Sequence, residues 1–383
     1  MSLRGMPLLA GVAVVLLLGG CSTIDALNPF TNKGPKIAEL TPIKATADAR
    51  VAWRENIGKS GVYTFTPAVV GGVVYAAAAD GTIVRVEDGK RGWRINAGQA
   101  LSGGVGSDGR TLVVGSPKGD VLAFDASDGK ALWSAKVGSE VLAPPAVGEG
   151  VVVVRTGDNR LIAFDALDGK RKWVFQRPTP PLSLRATAAP VIDNKVVVTG
   201  FPGGKVVALN VSNGTQVWEG TVSLPKGSTE LDRVSDITSA PVIAGRLLCA
   251  VAFQGKVSCF DISTGNTLWA RDMSSAAGLA IEGRYLYVTD DKGAVHAVDV
   301  ASGASLWKQD KLLNRQVTAP LPRRNLIVVA DLQGYVHLLS RDDGSFVGRL
   351  SIDGTPVRAP LQLLDNRVLV QTSGGSVLAI EVQ

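Results

Sequence analysis

The residues that could carry chemistry in this chain are few, and their spacing points away from catalysis. His296 and His337 are the only two histidines in 383 residues. Neither has a His or Cys partner pattern beside it, so they lack the spacing of a metal site. Asp125, Asp165, Asp261 and Asp299 each stand four residues before a glycine, Gly129, Gly169, Gly265 and Gly303. A catalytic carboxylate is not needed at four places at once, whereas an aspartate before a tight turn caps that turn with its own oxygens. There is no Asp-x-Asp-x-Asp-Gly calcium loop, no Gly-x-Ser-x-Gly elbow and no phosphate loop. The expectation is therefore no catalytic residue, no metal and no cofactor. Cys249 and Cys259 lie symmetrically about Gln254. Across a hairpin they would face each other at a Cα separation of ~4.5 to 5.5 Å, which fits either a disulfide or two buried thiols.

The elements that position these residues are repeats. The seven tryptophans, Trp53, Trp93, Trp133, Trp173, Trp218, Trp269 and Trp307, follow one another at 40, 40, 40, 45, 51 and 38 residues. One period, from Lys118 to Trp133, reads as a β-branched strand, the Asp-Gly turn at Asp128, and a Trp-bearing strand. Upstream of the Trp in each period lie an apolar run such as Val151 to Val154 and, before it, a Pro-x-Val or Pro-Val element, as at Pro145 and Pro190. Short, β-branched, turn-bounded segments are strands, and Gly supplies the positive φ of the hairpins between them. A period is thus a four-stranded antiparallel meander of the size of a propeller blade. From Asp48 to Gln383 there are 336 residues, which is eight periods of 42. Two copies are degenerate: Gly348 stands in one tryptophan slot, and the last copy ends before its tryptophan. Val51 to Asn56, with Trp53, is an orphan strand that would complete the last blade and close the ring. The fold class is all-β, an eight-bladed β-propeller closed by an N-terminal strand, with few exposed edges.

The tryptophans fill gaps between blades as large apolar plates, and interruptions of the repeat are more informative. From each tryptophan to the Pro or Gly opening the next blade the chain takes 9 to 14 residues, except from Trp173 to Pro190, which is 17, and from Trp218 to Pro241, which is 23. Both long crossings run from an outermost strand to the next innermost strand, so they emerge on one face in adjacent sectors, where repeat proteins place binding surfaces. The first holds Arg177-Pro-Thr-Pro-Pro-Leu-Ser-Leu-Arg185, in which the prolines stiffen an extended segment and set Leu182 and Leu184 on one side. The second holds Lys226 to Asp236, a dense polar cluster. Together they offer an apolar anchor ringed by Arg185, Glu230, Asp232, Arg233 and Asp236, the anatomy of a protein interface.

The N-terminus reads as an address. Arg4 precedes an apolar run from Leu8 to Leu18, too short for a membrane span. Leu18-Gly-Gly-Cys21 resembles a bacterial lipobox, which implies cleavage before Cys21, lipidation of that thiol and, with Ser22 following, delivery to the outer membrane. The domains are then a lipoprotein signal over 1–20, a flexible lipidated tether over 21–47 and the propeller over 48–383. Several acyl chains hold a protein firmly on a membrane. A formal net charge of +6 with both signs dispersed is too little to argue for nucleic acid.

The lipobox, the Ala-x-Asp-x-x-x-Gly-x-x-x-Trp repeats of quinoprotein-like propellers, and Leu182-Ser-Leu-Arg185 with Gly227-Ser-Thr-Glu-Leu-Asp-Arg-Val-Ser-Asp236 together resemble the BamB family. These are the propeller lipoproteins of the outer-membrane β-barrel assembly machinery, the BAM complex, and the resemblance spans essentially the whole chain. It implies a non-enzymatic scaffold on the periplasmic side of the outer membrane that binds a POTRA domain of BamA and assists insertion of β-barrel proteins. It assigns that contact to Leu182, Leu184, Arg185 and Asp236; the family often carries a second acidic residue where Thr238 stands here. The leucines would bury against the partner and Arg185 would meet a carboxylate or carbonyl. Asp232 and Asp236 would orient Arg185 and Arg233 or pair with partner cations. Unfolded β-barrel substrates, added as strands at blade edges, are a weaker second partner. The rival readings are a quinoprotein dehydrogenase, whose usual calcium site and adjacent cysteine pair are not visible here, and a periplasmic ligand-binding propeller with its site in the central channel.

Overall fold

The computed structural model describes residues 35–383, with 179 and 186 excepted. Its regular elements are 32 strands arranged as eight four-stranded antiparallel sheets, the blades. Blade 3 shows the pattern: Ala146–Gly148, Val151–Arg155, Arg160–Asp165 and Arg171–Gln176 pair in order from the inside of the ring outward. Counted the same way, blade 4 comprises Val191–Asp193, Val196–Phe201, Lys205–Asn210 and Gln216–Thr221, and blade 5 opens with Val242–Ala244. Blade 8 is the exception. Its outermost strand is Ala49–Asn56, which pairs antiparallel with Ser376–Val382 from Ala49 opposite Val382 to Asn56 opposite Ser376. The two ends of the chain therefore share one sheet, and the orphan Trp53 strand closes the ring as its position in the sequence requires.

The core is a series of layers between blades. In blade 3, Val152, Val154, Ile162 and Phe164 face blade 2, while Val151, Val153, Leu161 and Ala163 face Val197, Phe201, Val207 and Leu209 of blade 4. A strand covered on both sides must be apolar on both sides, which is why these segments read as continuous Val/Leu/Ile runs rather than alternating ones.

Each tryptophan staples its blade to the next one. The ring of Trp173 lies on the turn glycine Gly214, where a Cβ would come within 2.7 Å of the ring, and its Nε1 donates to Val211 O at 2.8 Å. Trp93, Trp133, Trp218, Trp269 and Trp307 repeat that donation to Ala126, Ala166, Ile262, Val300 and Arg341 carbonyls. The recurring carboxylates cap these turns: Asp125 accepts from Ser127 N at 2.8 Å, Asp165 from Leu167 N at 3.0 Å, Asp261 from Ser263 N at 2.9 Å and Asp299 from Ala301 N at 3.2 Å. Such a staple needs a hairpin between the third and fourth strands of the following blade. Blade 8 has none, because its fourth strand arrives from the other end of the chain, and Gly348 of blade 7 is the position left without a target.

The N-terminal segment fills that gap. The compact body begins at Ile37, ahead of the first blade strand at Ala49. Ala38 N donates to Leu313 O at 3.0 Å, and Thr46 and Ala47 both donate to Val347 O, at 2.8 and 2.9 Å. Arg315 donates from Nη1 to Ala38 O at 2.8 Å, and Arg349 from Nη1 to Thr41 O at 3.0 Å. A Cβ on Gly348 would sit 2.6 Å from Ala47 O, so only glycine leaves room for this strap. Gly348→Val is expected to cost about 1–3 kcal/mol through overpacking and to open residues 37–47 to proteolysis; unchanged cleavage and an unchanged melting temperature would reject the strap. The signal segment, Cys21 and the tether as far as residue 34 lie outside the described residues.

Both histidines serve structure. His296 Nε2 pairs with Asp290 at 2.8 Å and His337 Nε2 with Asp331 at 3.0 Å. His337 Nδ1 accepts from Arg349 Nε at 3.2 Å, so the ring is neutral with its proton on Nε2, and Arg315 Nε donates to the same Asp331 oxygen at 2.6 Å. Burial pushes the His337 imidazole below its ordinary 6.5, with Asp331 opposing. The unfolded chain then takes up the proton more readily. The stability that neutral His337 contributes is complete above 6.5 and is lost as pH falls through that value toward the folded one. Thermal melts should show the melting temperature falling on acidification through this range, and His337→Gln should remove part of the slope. Identical slopes would assign the acid sensitivity elsewhere.

Cys249 and Cys259 face each other in register across neighbouring strands of blade 5, with Cα atoms 4.1 Å apart and their sulfurs bonded.

Candidate functional site

The two long crossings meet. Residues 177–190 join blade 3 to blade 4 and residues 222–241 join blade 4 to blade 5. Each runs from the outside of one blade to the inside of the next, so both lie on one face, with the turns between second and third strands. Leu184 N donates to Asp236 Oδ2 at 2.6 Å, and Thr187 Oγ1 to Thr238 O at 3.5 Å. The crossings are thus adjacent and in contact.

Leu182 and Leu184 are exposed at 40% and 37%, so the leucines of the Pro-stiffened segment point outward rather than tucking beneath it. Arg185 extends from the same segment and is paired within the chain: Nε donates to Glu140 Oε1 at 3.2 Å, and Nη2 contacts the second carboxylate oxygen. Glu140 belongs to the crossing between blades 2 and 3, and Arg185 keeps 66% of its side chain exposed. The pair orients a guanidinium that still has donors to offer.

Asp236 departs from its expected place in a polar rim. It is 1% exposed and turned inward. Besides Leu184 N it accepts from Gly203 N at 3.0 Å, at the turn that follows Val196–Phe201, while its own carbonyl accepts from Phe253 N at 2.8 Å. A carboxylate that ties two crossings and two turns is a clamp, and a buried carboxylate with backbone donors is costly to remove. Ile237, fully buried, packs over Gly200 so closely that a side chain there has no room.

The remaining polar residues also pair among themselves rather than with Arg185. Asp232 accepts from Thr229 N at 3.1 Å and Thr229 Oγ1 accepts from Asp232 N at 3.1 Å, a reciprocal cap on one turn. These bonds hold the exposed Asp232 carboxyl below its ordinary range. Arg233 donates to Gly227 O at 3.1 Å and pairs with Glu230 at 3.3 Å. Thr238, in the place of a second acidic residue, donates to Ala276 O at 3.3 Å and so links the second crossing to the next one.

Other residues also build this face. Leu224 and Leu231 of the second crossing are exposed at 61% and 70%. Beneath the crossings, Phe201 is fully buried, with Arg155 over its ring at 5.3 Å and Arg177 at 5.7 Å. Arg177 also pairs with Glu219, and Lys205 reaches Glu219 at 3.5 Å. Burial works against ionisation of Glu219, but the Arg177 hydrogen bond and the two cations hold it below the ordinary carboxylate range. Arg155 is buried, donating to Ala188 O and Asn159 Oδ1 at 3.5 Å each. Its burial pushes the guanidinium down to about 10, opposed by the charge of Asp236. Arg155 did leave a trace in the sequence: it is the one charge ending an otherwise apolar run where other blades have Ala77, Gly115, Val251 or Ala330.

The comparisons with known proteins agree with this architecture. Residues 79–309 match the family described as outer membrane protein assembly factor BamB. The chain is 43% identical over 380 residues to outer membrane protein assembly factor BamB of Bordetella pertussis, covering 98% of this chain and 96% of that protein. It is 32% identical over 396 residues to the protein of that name from Escherichia coli, covering 99% and 100%. Among solved structures, BamB from Moraxella catarrhalis superposes with a TM-score of 0.82 at 27% identity, covering 87% of this chain and 100% of that one. Quinohemoprotein alcohol dehydrogenase from Comamonas testosteroni reaches a TM-score of 0.70 at 14% identity, covering 87% and 76%, which is a likeness of fold alone. On near full-length identity and a matching eight-bladed ring, the chain belongs to the BamB family of outer membrane protein assembly factors.

Proposed function

We propose that this protein is a non-enzymatic scaffold of the outer-membrane β-barrel assembly machinery, docking a periplasmic POTRA domain of BamA on the face formed by its two long crossings. The observation that carries the reading is Leu182 and Leu184 displayed on a segment whose backbone is clamped by a buried carboxylate. Exposed apolar side chains on a pre-ordered backbone lose little entropy on binding, which is what a hot spot requires. Arg185, held by Glu140 yet two-thirds exposed, supplies a directional donor at the edge of that patch. Asp236 serves the contact from within, by fixing Leu184, and Glu230, Asp232 and Arg233 form a self-paired rim. Family membership supports assembly of outer membrane proteins as the process, whereas the dehydrogenase reading has only the shared fold behind it. Cys21 would tether the propeller to the outer membrane with the ring in the periplasm; labelled palmitate incorporated by the wild type and lost in Cys21→Ser is the expected result. The docking face is tested by co-purification of Leu184→Ala, Arg185→Ala with BamA from detergent-solubilised envelopes. Undiminished yield would remove these crossings from the interface.

A further inference from the structure

Blade 5 bends its own backbone to hold the second crossing. A short turn joins the second strand of each blade to the third, and its glycine takes positive φ, as at Gly81, Gly119, Gly293 and Gly334. In blade 5 this turn lies between Leu247–Val251 and Lys256–Asp261, and there Gly255 does not take it. The positive φ falls on Gln254 instead, at +49°. A residue with a Cβ adopts that conformation at a cost in free energy, and here it does so with a glycine standing next to it. The contacts of Gln254 show what the strain achieves. Its side-chain amide nitrogen donates to Leu231 O and Val234 O at 3.0 Å each, while its backbone N donates to Ser274 Oγ at 2.6 Å. Phe253 N, beside it, donates to Asp236 O at 2.8 Å. Two consecutive residues of the turn therefore bind three carbonyls of the second crossing.

Those bonds surround Leu231. A single exposed leucine is ordinary on a protein surface, but this one is 70% exposed on a turn that is held from several directions. Thr229 and Asp232 cap the turn reciprocally, Val234 N donates to Leu231 O at 3.3 Å, and the Val234 side chain, 5% exposed, plugs its base. A loose turn would let the leucine fold back onto apolar surface, because burial is favourable; the bonds from Gln254 keep it displayed. The second crossing is joined to the first through Leu184 N and Asp236, so Leu231 lies on a surface continuous with Leu182 and Leu184. We infer that Leu231 is a second apolar anchor for the docked partner and that Gln254 is its positioning residue, so that both crossings grip the partner. The inference rests on the docking proposal, and its occupant is the same domain of BamA, which must then present apolar surface to both crossings.

The test uses the full-length protein and three substitutions. Gln254→Glu keeps the shape but turns oxygens only toward two carbonyls, Gln254→Lys keeps a donor there, and Leu231→Ala removes the anchor itself. Amide exchange of the free protein is read at Val234 against a remote reference in blade 7, Val328, and affinity is read with purified BamA. Loss of both side-chain bonds in Gln254→Glu should speed exchange at Val234 by about tenfold, with Val328 unchanged and with most of the protection kept in Gln254→Lys. Leu231→Ala should weaken BamA binding by about tenfold, and Gln254→Glu should weaken it by a similar or smaller factor. The combined Gln254→Glu, Leu231→Ala variant should bind no worse than the weaker single variant, because the glutamine acts through the leucine. Unchanged exchange at Val234 in Gln254→Glu would overturn the positioning role, and weakened binding with that exchange unchanged would place Gln254 itself against the partner. Wild-type affinity in Leu231→Ala while Leu184→Ala, Arg185→Ala binds weakly would overturn the second anchor and leave the docking face standing. Wild-type affinity in both would overturn the docking face and the second anchor together.

Discussion

Replacing Trp218 with alanine is expected to lower the unfolding free energy by about 3–5 kcal/mol, the range for removing a large buried aromatic. Trp218 is 7% exposed and contributes to the layer between blades 4 and 5, with Phe260 stacked against it at 6.4 Å between ring centroids. Its Nε1 donates to Ile262 O at 2.7 Å, so truncation also strips a carbonyl of its partner. The turn below it gives an independent check. Gly265 has φ +73° and a Cβ there would lie 2.7 Å from the indole, so Gly265→Ala should destabilise through backbone strain and a clash without removing any apolar surface. Trp53 is the contrast case: it rests on Gly89 in the same way, but its Nε1 has no acceptor. Trp53→Ala should cost less than Trp218→Ala by about the net worth of one hydrogen bond, roughly 1 kcal/mol. Denaturant unfolding of the three variants measures this, and equal losses for Trp53 and Trp218 would show that apolar burial alone does the stapling.

The second large effect concerns binding and leaves the fold untouched. Leu184→Ala and Arg185→Ala should each cost about 2 kcal/mol of affinity for BamA, and the pair at least about a hundredfold in Kd. The free protein should change by no more than about 0.5 kcal/mol, because both side chains are exposed. Isothermal titration beside denaturant unfolding separates the two quantities. The neighbouring Glu140 refines the expectation for Arg185. Glu140→Gln leaves the guanidinium in place but releases its orientation, and should weaken binding by less than Arg185→Ala. A loss from Glu140→Gln as large as from Arg185→Ala would mean that Glu140 itself touches the partner.

What could be read along the chain was whatever repeats or acts over a few residues. The blade count followed from the tryptophan spacing, and ring closure from the orphan strand around Trp53, now seen paired with Ser376–Val382. The roles of Asp125, Asp165, Asp261 and Asp299 followed because an Asx turn closes over two residues. The facing of Cys249 and Cys259 followed because hairpin register is symmetric about its turn. The two crossings were legible as departures from that period.

The tertiary structure alone decided which side chains meet across those departures. Asp236 reads as a rim charge in sequence, since nothing local says that Leu184 and Gly203 will turn their amides toward it across 52 and 33 positions. Arg185 finds Glu140 across 45 positions. Gly348 looks like decay of a repeat until the strap is seen passing over it, with Arg315 reaching back 277 residues to Ala38. The physical reason is common to all of these. Periodicity and turn chemistry are properties of a few consecutive bonds, whereas a clamp, a strap or a buried charge exists only once closure of the ring has brought distant sectors to fixed distances.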